Sequence, residues 1–264
     1  MKNAIEVSGL KKSYGSNMVL SGLDFQIKQG EIFALLGVNG AGKTTTLECI
    51  EGLRKYDEGT IIVNGKTGIQ LQSSSLPIHI KPMEAIKLFA KWNHTYIDDA
   101  MLKALGIKEM KESQYIELST GQKRRLHLAL ALISNPDIIF LDEPTAGLDV
   151  EGRLSLHEQI RKLKSQSKTI VLASHDMAEV ETLCDRIAIL NSGKIVFCGT
   201  PSELTDRLGR KYFIHLKTQD GEKSFETDTI EDTLISLLEE CKQKHIQILD
   251  IKVDRGTLEQ HFIE

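Results

Sequence analysis

No stretch of this 264-residue sequence stays apolar for the roughly 18 to 20 residues a bilayer-crossing helix needs. The opening MKNAIEVSGLKKSYG also lacks the apolar centre of a signal peptide. Cysteine is sparse: Cys49, Cys184, Cys198 and Cys241 lie far apart with no CxxC pair. That spacing excludes a disulfide framework and a zinc site, and fits a reducing compartment. Charge of one sign is lacking too. A formal net charge of −4 gives no electrostatic reason to expect nucleic acid, and the basic KRR at 123 to 125 is surrounded by opposite charges. Internal repeats and low-complexity tracts are absent. These absences predict a cytosolic globular chain whose membrane role, if it has one, comes through a partner.

What is present reads as alternating strands and helices. Hydrophobic residues make up 41% and charged residues 27%, the balance of a folded protein. Residues 4 to 8 and 19 to 27 read as strands, and EIFALL (31 to 36) as a strand buried on both faces. Residues 60 to 71 read as a short strand pair around Asn64-Gly65. From about 76 to 135 the pattern is helical, in PMEAIKLFAKWN, DDAMLKALGI and GQKRRLHLALALI. Then come strand DIIFLDEP, helix EGRLSLHEQIRKLKS, strand KTIVLASH, helix DMAEVETLC and a hairpin turning at Asn191, Ser192 and Gly193. Such alternation implies a mainly parallel sheet wrapped by helices. Beyond a linker near DRLGR, residues 205 to 264 read as a small α+β appendage. It holds a hairpin (KYFIHLKT and KSFET), a helix that Asp228 would cap, a strand IQILDIKV and a short helix TLEQHF.

The stretch GVNGAGKTT follows the buried strand EIFALL and matches G-x-x-x-x-G-K-[ST] through Gly37, Gly42, Lys43 and Thr44. A loop holds polyphosphate with successive backbone N–H groups where side chains are absent, which Gly37, Gly40 and Gly42 supply. The helix beginning near Lys43 aims its positive end at the phosphates. Lys43 is expected on the β and γ phosphates and the Thr44 hydroxyl on Mg²⁺. Asn39, Ala41 and Thr45 complete the expected nucleotide-binding loop. DIIFLDEP places Asp142 and Glu143 at the carboxyl end of a strand, where ligands sit in open α/β sheets. Asp142 fits a second metal anchor and Glu143 a group that orients and deprotonates water.

LSTGQ, at 118 to 122, lies between these motifs, and Ser119 with Gln122 forms an S-x-x-Q capping box. In order with GVNGAGKTT and IIFLDEP, it resembles the signature of the ABC ATPase family, usually LSGGQ, over residues 4 to about 205. The resemblance implies an ABC-type P-loop NTPase: an antiparallel β subdomain, a mainly parallel core sheet with helices, and a helical subdomain at about 76 to 135. The ATPase domain spans 1 to 204 and the C-terminal extension 205 to 264. ATP and Mg²⁺ are then the expected ligands.

By the same resemblance, Tyr14 stacks on adenine with Val19 beside it. Gln72 looks like the glutamine that senses Mg²⁺ and the lytic water, with Gln70 a nearby competitor. Asp149, in AGLD, resembles the residue that communicates across a dimer, and His175 the switch histidine at the γ-phosphate. Ser119, Gly121 and Gln122 would meet nucleotide held by a second copy or a paralogue. Thr120 departs from the family glycine and adds a β-branched side chain there. With Glu143 and His175 present, hydrolysis is expected.

The compact size, the variant motifs and the tail RGTLEQHFIE look like the bacterial branch that exports drugs, antibiotics or sodium. In that branch a separate permease carries the substrate and holds the ATPase at the inner face of the cell membrane. An importer subunit, or a soluble clamp without a permease, is the alternative.

Overall fold

The computed structural model describes residues 2–70, 76–208, 212–219, 221–244 and 246–255. Gln72 and the expected helix TLEQHF lie outside the described residues. The chain divides into two compact units, Met1–Gly199 and Thr200–Glu264. Among the described residues no helix is long and apolar enough to cross a membrane.

The first unit is built on two sheets. Strands β3 (Ile32–Leu36), β6 (Ile138–Asp142) and β7 (Thr169–Ser174) are buried at every position. Strands buried at every position need cover on both faces, and a parallel sheet with crossing helices provides it. They sit in a six-stranded sheet of order β5-β6-β7-β3-β8-β9, with β5 (Thr67–Gln70) at one edge. The hairpin of β8 (Arg186–Asn191) and β9 (Lys194–Gly199) forms the other. Its turn has Ser192 at φ 46° and Gly193 at φ 73°, the doubly positive backbone that matches strand twist in a tight hairpin.

The second sheet is antiparallel, of order β2-β1-β4, from β1 (Asn3–Tyr14), β2 (Asn17–Lys28) and β4 (Glu58–Val63). Along β2, Leu23, Phe25 and Ile27 are buried while Asp24, Gln26 and Lys28 face solvent. This period of two directs one face onto the core. Phe25 stacks on Phe33 of β3 with ring centroids 5.7 Å apart, so both sheets share one hydrophobic core.

The expected strand pair at 60 to 71 is two strands in two different sheets. Asn64 donates its N–H to the Ala4 carbonyl, holding β4 on β1. Lys66 is captured from the other side, its N–H donating to Asp137 Oδ2 at 2.9 Å. From there β5 runs parallel to β6. A Cβ added at Gly68 would lie 2.2 Å from the Ala131 carbonyl oxygen, so glycine lets β5 press directly on the end of α4.

Between β5 and β6 lie α2 (Pro82–Trp92), α3 (Asp99–Ala104) and α4 (Thr120–Leu132). Asp98 caps α3 by accepting from the Ala100 and Met101 N–H groups. Among the described residues, the other α-helices of this unit are α1 (Lys43–Ile50), α5 (Val150–Ser165) and α6 (Met177–Leu183).

The second unit starts with α7 (Pro201–Leu208), which extends into the stretch the sequence reads as linker. A reciprocal cap explains its start: Thr200 N–H donates to Glu203 Oε2 at 2.8 Å and Glu203 N–H to Thr200 Oγ1 at 3.1 Å. Strands β10 (Tyr212–Thr218), β11 (Gly221–Thr227) and β12 (Ile248–Arg255) form an antiparallel sheet of order β11-β10-β12. Helix α8 (Ile230–Gln243) places Leu237 and Cys241 in this unit's small core. Asp228 does not cap it. The N-cap is Thr229, whose N–H donates to Thr227 Oγ1 at 3.0 Å.

Candidate nucleotide site

Strands β6, β7 and β3 are consecutive in the core sheet and all run parallel. Their carboxyl ends therefore gather three segments remote in sequence: the loop 37–42, Asp142-Glu143 and Ser174-His175. Topology assembles the site.

Lys43 opens α1 and is only 6% exposed, with Nζ 2.7 Å from the Gly37 carbonyl oxygen and 3.4 Å from that of Val38. Its ammonium lies 4.0 Å from Glu143 Oε1. Burial pushes the Lys43 pKa down, and the Glu143 and Asp142 carboxylates oppose that shift. No side chain caps the amino end of α1, whose N-cap is Gly42 at φ 107°. Its first N–H groups are left to an anion.

The glycines have reasons beyond bareness toward phosphate. A Cβ at Gly37 would meet the Leu190 carbonyl oxygen at 2.4 Å, and one at Gly42 would meet Leu20 Cδ2 at 2.8 Å. The backbone contact requires glycine at 37, and the left-handed φ of 107° favours it at 42. Val19 belongs to the same wall, since its carbonyl oxygen would lie 3.3 Å from a Cβ at Gly42. Asn39 and Gly40 are exposed at the loop tip, Ala41 is buried beneath it, and Thr45 is half-buried on α1.

Asp142 ends β6 and is 5% exposed. Thr44 Oγ1 donates to its Oδ2 at 3.1 Å, while Oδ1 is buried without a hydrogen-bond partner. Burial raises the Asp142 pKa, the Thr44 hydrogen bond lowers it, Glu143 raises it and Lys43 lowers it. A hydroxyl oxygen beside a carboxylate with one bare buried oxygen suits a hard divalent cation, which binds through oxygen donors. These two residues fit Mg²⁺.

Glu143 follows at φ 49°, a left-handed backbone that costs a non-glycine residue about 1 to 2 kcal/mol. Its N–H donates to the Ala173 carbonyl at 2.9 Å. Its Oε2 lies 2.7 Å from His175 Nδ1, and the carboxylate is buried while the His175 side chain is 59% exposed. A buried carboxylate in close contact with an imidazole at the solvent edge is placed to bind and polarise water.

Tyr14 ends β1 with 43% exposure. Lys12 Nζ and Arg54 Cζ stand 5.5 and 5.4 Å from its ring centroid. The ring is an accessible aromatic surface, not a core tyrosine. Gln70 is 2% exposed and lines a cavity with His127, Ala131 and Phe89 on the α4 side of the sheet. It is therefore turned away from Asp142, whose Oδ2 meets Thr44 of α1.

Ser119, Gly121, Gln122 and Asp149 gather elsewhere, around a separate cavity of about 600 Å³ whose lining includes none of the phosphate-loop residues. The expected capping box is present: Ser119 Oγ accepts from Gln122 N–H at 3.2 Å and Gln122 Oε1 accepts from Ser119 N–H at 2.8 Å. Ser119 and Thr120 are exposed. A Cβ at Gly147 would lie 3.6 Å from Thr120 Cγ2, so the extra methyl rests against the bare Gly147. Asp149 caps α5 by accepting from Gly152 N–H at 2.8 Å.

The family model for ABC transporters matches residues 20–146. The linearmycin resistance ATP-binding protein LnrL of Bacillus subtilis is 31% identical, over 98% of this chain and 97% of that protein. The chain belongs to the ABC transporter ATP-binding family. An uncharacterized ABC transporter ATP-binding protein of Methanocaldococcus jannaschii is 34% identical over the full length of both chains. The Nod factor export ATP-binding protein I of Paraburkholderia xenovorans is 36% identical over 76% of this chain and 72% of its own. A solved ATP-binding subunit of an ABC transporter superposes with TM-score 0.70 at 26% identity, covering 77% of this chain and 92% of that one. This ABC chain accordingly binds ATP, and its family hydrolyses it.

Two carboxylates near the ABC site carry no motif. Glu51, at the carboxyl end of α1, has a buried Oε2 without a partner. Burial first, then the Asp142 and Glu48 charges, push its pKa up to about 7. Glu179, on α6, is 3% exposed and hydrogen-bonded by three side chains. The one sequence signal for Glu179 is its place among the helix's apolar neighbours Met177, Val180 and Leu183, all buried.

Proposed function

We infer that this chain is the ATP-hydrolysing subunit of an exporter. In this reading it closes on ATP with a second copy or a paralogue, and hydrolysis drives a separate membrane-spanning permease. The observation that carries hydrolysis is the Glu143–His175 contact at 2.7 Å, on strand ends adjacent to the phosphate loop. Lys43 and the bare amino end of α1 hold the β and γ phosphates, and Tyr14 takes the adenine. Thr44 and Asp142 hold Mg²⁺, which neutralises phosphate charge when bound. Glu143 accepts a proton from the attacking water, and His175 orients Glu143 and reaches the γ-phosphate.

Pairing is supported by the separation of Ser119, Gly121, Gln122 and Asp149 from the phosphate loop. One chain carries two half-sites facing different surroundings, and two chains complete them. A membrane partner is supported by the helical subdomain, where Leu88 and Trp92, four residues apart on one face of α2, are 53% and 75% exposed. Tyr96 just beyond is 97% exposed. Apolar groups so exposed in the stretch that follows Gln72 suit a protein surface that docks there. Export is supported by the relatives named for Nod factor export and linearmycin resistance. Co-purification from membranes with a permease tests that arm. Recovery with soluble partners alone would favour the clamp.

The chemistry is tested by Glu143→Gln. Turnover is expected to fall by about 100-fold or more, because the proton acceptor is lost. ATP binding, measured by displacement of a fluorescent nucleotide, is expected to survive. Turnover at the wild-type rate would refute Glu143 as the base.

A further inference from the structure

A carboxylate as deeply buried as Glu179 persists only when its oxygens are hydrogen-bonded. Its Oε2 accepts from Ser174 Oγ at 2.9 Å and Thr145 Oγ1 at 3.1 Å, and its Oε1 lies 3.1 Å from His157 Nε2. The first two partners adjoin the reacting groups. Thr145 is two residues beyond Glu143, and Ser174 immediately precedes His175. The Ser174 hydroxyl also accepts from Asp176 N–H at 3.1 Å, and Asp176 Oδ1 accepts from Glu179 N–H at 3.0 Å. Both chain neighbours of His175 are thus tied to one residue. The third partner, His157, lies on α5, the helix that Asp149 caps.

The geometry points to Glu179 as a positioning residue for ATP hydrolysis, clamping the turn of Glu143 and the loop of His175 to each other. The inference rests on the reading that Glu143 and His175 act on ATP. Two features explain why a clamp is needed. Glu143 holds a left-handed backbone, which persists only where its surroundings over-determine it. The His175 ring is more than half exposed, so packing does little to hold it, and its flanking backbone must. Glu179 touches no nucleotide in this scheme. It acts through the separation and aim of the Glu143–His175 pair, and pair geometry of this kind tolerates errors of only about half an ångström.

The test uses the full-length chain carrying Glu179→Ala, Ser174→Ala or Thr145→Val, each alone and combined with Glu143→Gln. Single-turnover hydrolysis of radiolabelled ATP, steady-state kcat and KM, and thermal midpoints are measured. Glu179→Ala and Ser174→Ala are expected to lower kcat by about 10- to 100-fold, as loss of an orienting partner does, with KM little changed. Thr145→Ser, which keeps the hydroxyl, is expected to retain the wild-type rate. In the Glu143→Gln background the same changes are expected to cost no further rate, since the group they aim is gone. Should Glu179→Ala fail to fold, Ser174→Ala and Thr145→Val each remove a single hydroxyl group and carry the same comparison. Undiminished kcat in both single-hydroxyl variants, with Glu143→Gln inactive, would overturn the clamp and leave the base assignment standing. Equal losses with and without Glu143→Gln, tracking the thermal midpoint, would reduce Glu179 to a fold-holding residue. Full turnover by Glu143→Gln itself would instead remove the reading beneath the inference.

Discussion

At the scale of single residues, burial sets the chemistry. Glu51 binds its proton more tightly in the folded chain than in the unfolded one, with a pKa raised from 4.5 to about 7. Folding is therefore favoured as pH falls through that window, and the full cost of burying the charge is felt above about pH 7. With each pKa unit near 1.4 kcal/mol, that cost is on the order of 1 to 3 kcal/mol. Glu51→Gln is expected to stabilise the protein by this amount at pH 8, the gap shrinking several-fold by pH 5. Urea unfolding at both pH values, without nucleotide or Mg²⁺, checks it, and a gap unchanged between them would contradict it. The phosphate loop and Asp142-Glu143 stood out in the sequence as candidates because phosphate and metal chemistry demands particular side chains at particular spacings. Glu51 and Glu179 did not, because their importance comes from a tertiary environment that leaves no mark in local sequence.

At the scale of elements, the cap of α4 serves two purposes that one substitution separates. Ser119 Oγ accepts from Gln122 N–H, and its loss by Ser119→Ala costs about 1 kcal/mol in stability. If Ser119 also meets nucleotide on a second copy, ATP-driven association suffers far more than that local loss implies. In a Glu143→Gln background, which slows hydrolysis, Ser119→Ala is expected to sediment as a monomer with ATP where its parent dimerises. A dimer of unchanged strength would leave Ser119 a helix cap alone. Periodicity revealed the buried strands and the amphipathic helices readily. It could not show that β4 and β5, separated by Asn64 to Lys66, enter different sheets, since that choice lies with Ala4 and Asp137, far away in sequence. The cap signature Thr200-Pro201-Ser202-Glu203 was legible in principle, and it starts a helix that runs into the stretch near DRLGR expected as linker.

At the scale of the whole molecule, the candidate nucleotide-site residues all lie in the unit that ends at Gly199. That unit has its own continuous core, drawn from both sheets and α1. The second unit carries a separate small core around Ile214, Leu216, Leu237 and Cys241. Strand order was the part of this architecture that sequence could not supply. Nothing local to β3, β6 or β7 says that they stand side by side, yet their adjacency brings Lys43, Asp142, Glu143 and His175 into one site. Because that adjacency is complete before residue 200, a chain ending at Gly199 is expected to fold and to bind ATP within about threefold of full length, a difference of about 0.7 kcal/mol. Calorimetry of the full chain is correspondingly expected to resolve two transitions, with ATP and Mg²⁺ raising only the one retained by residues 1–199. A single transition, moved as a whole by nucleotide, together with an insoluble 1–199 fragment, would mean that the extension is part of the ATPase fold itself.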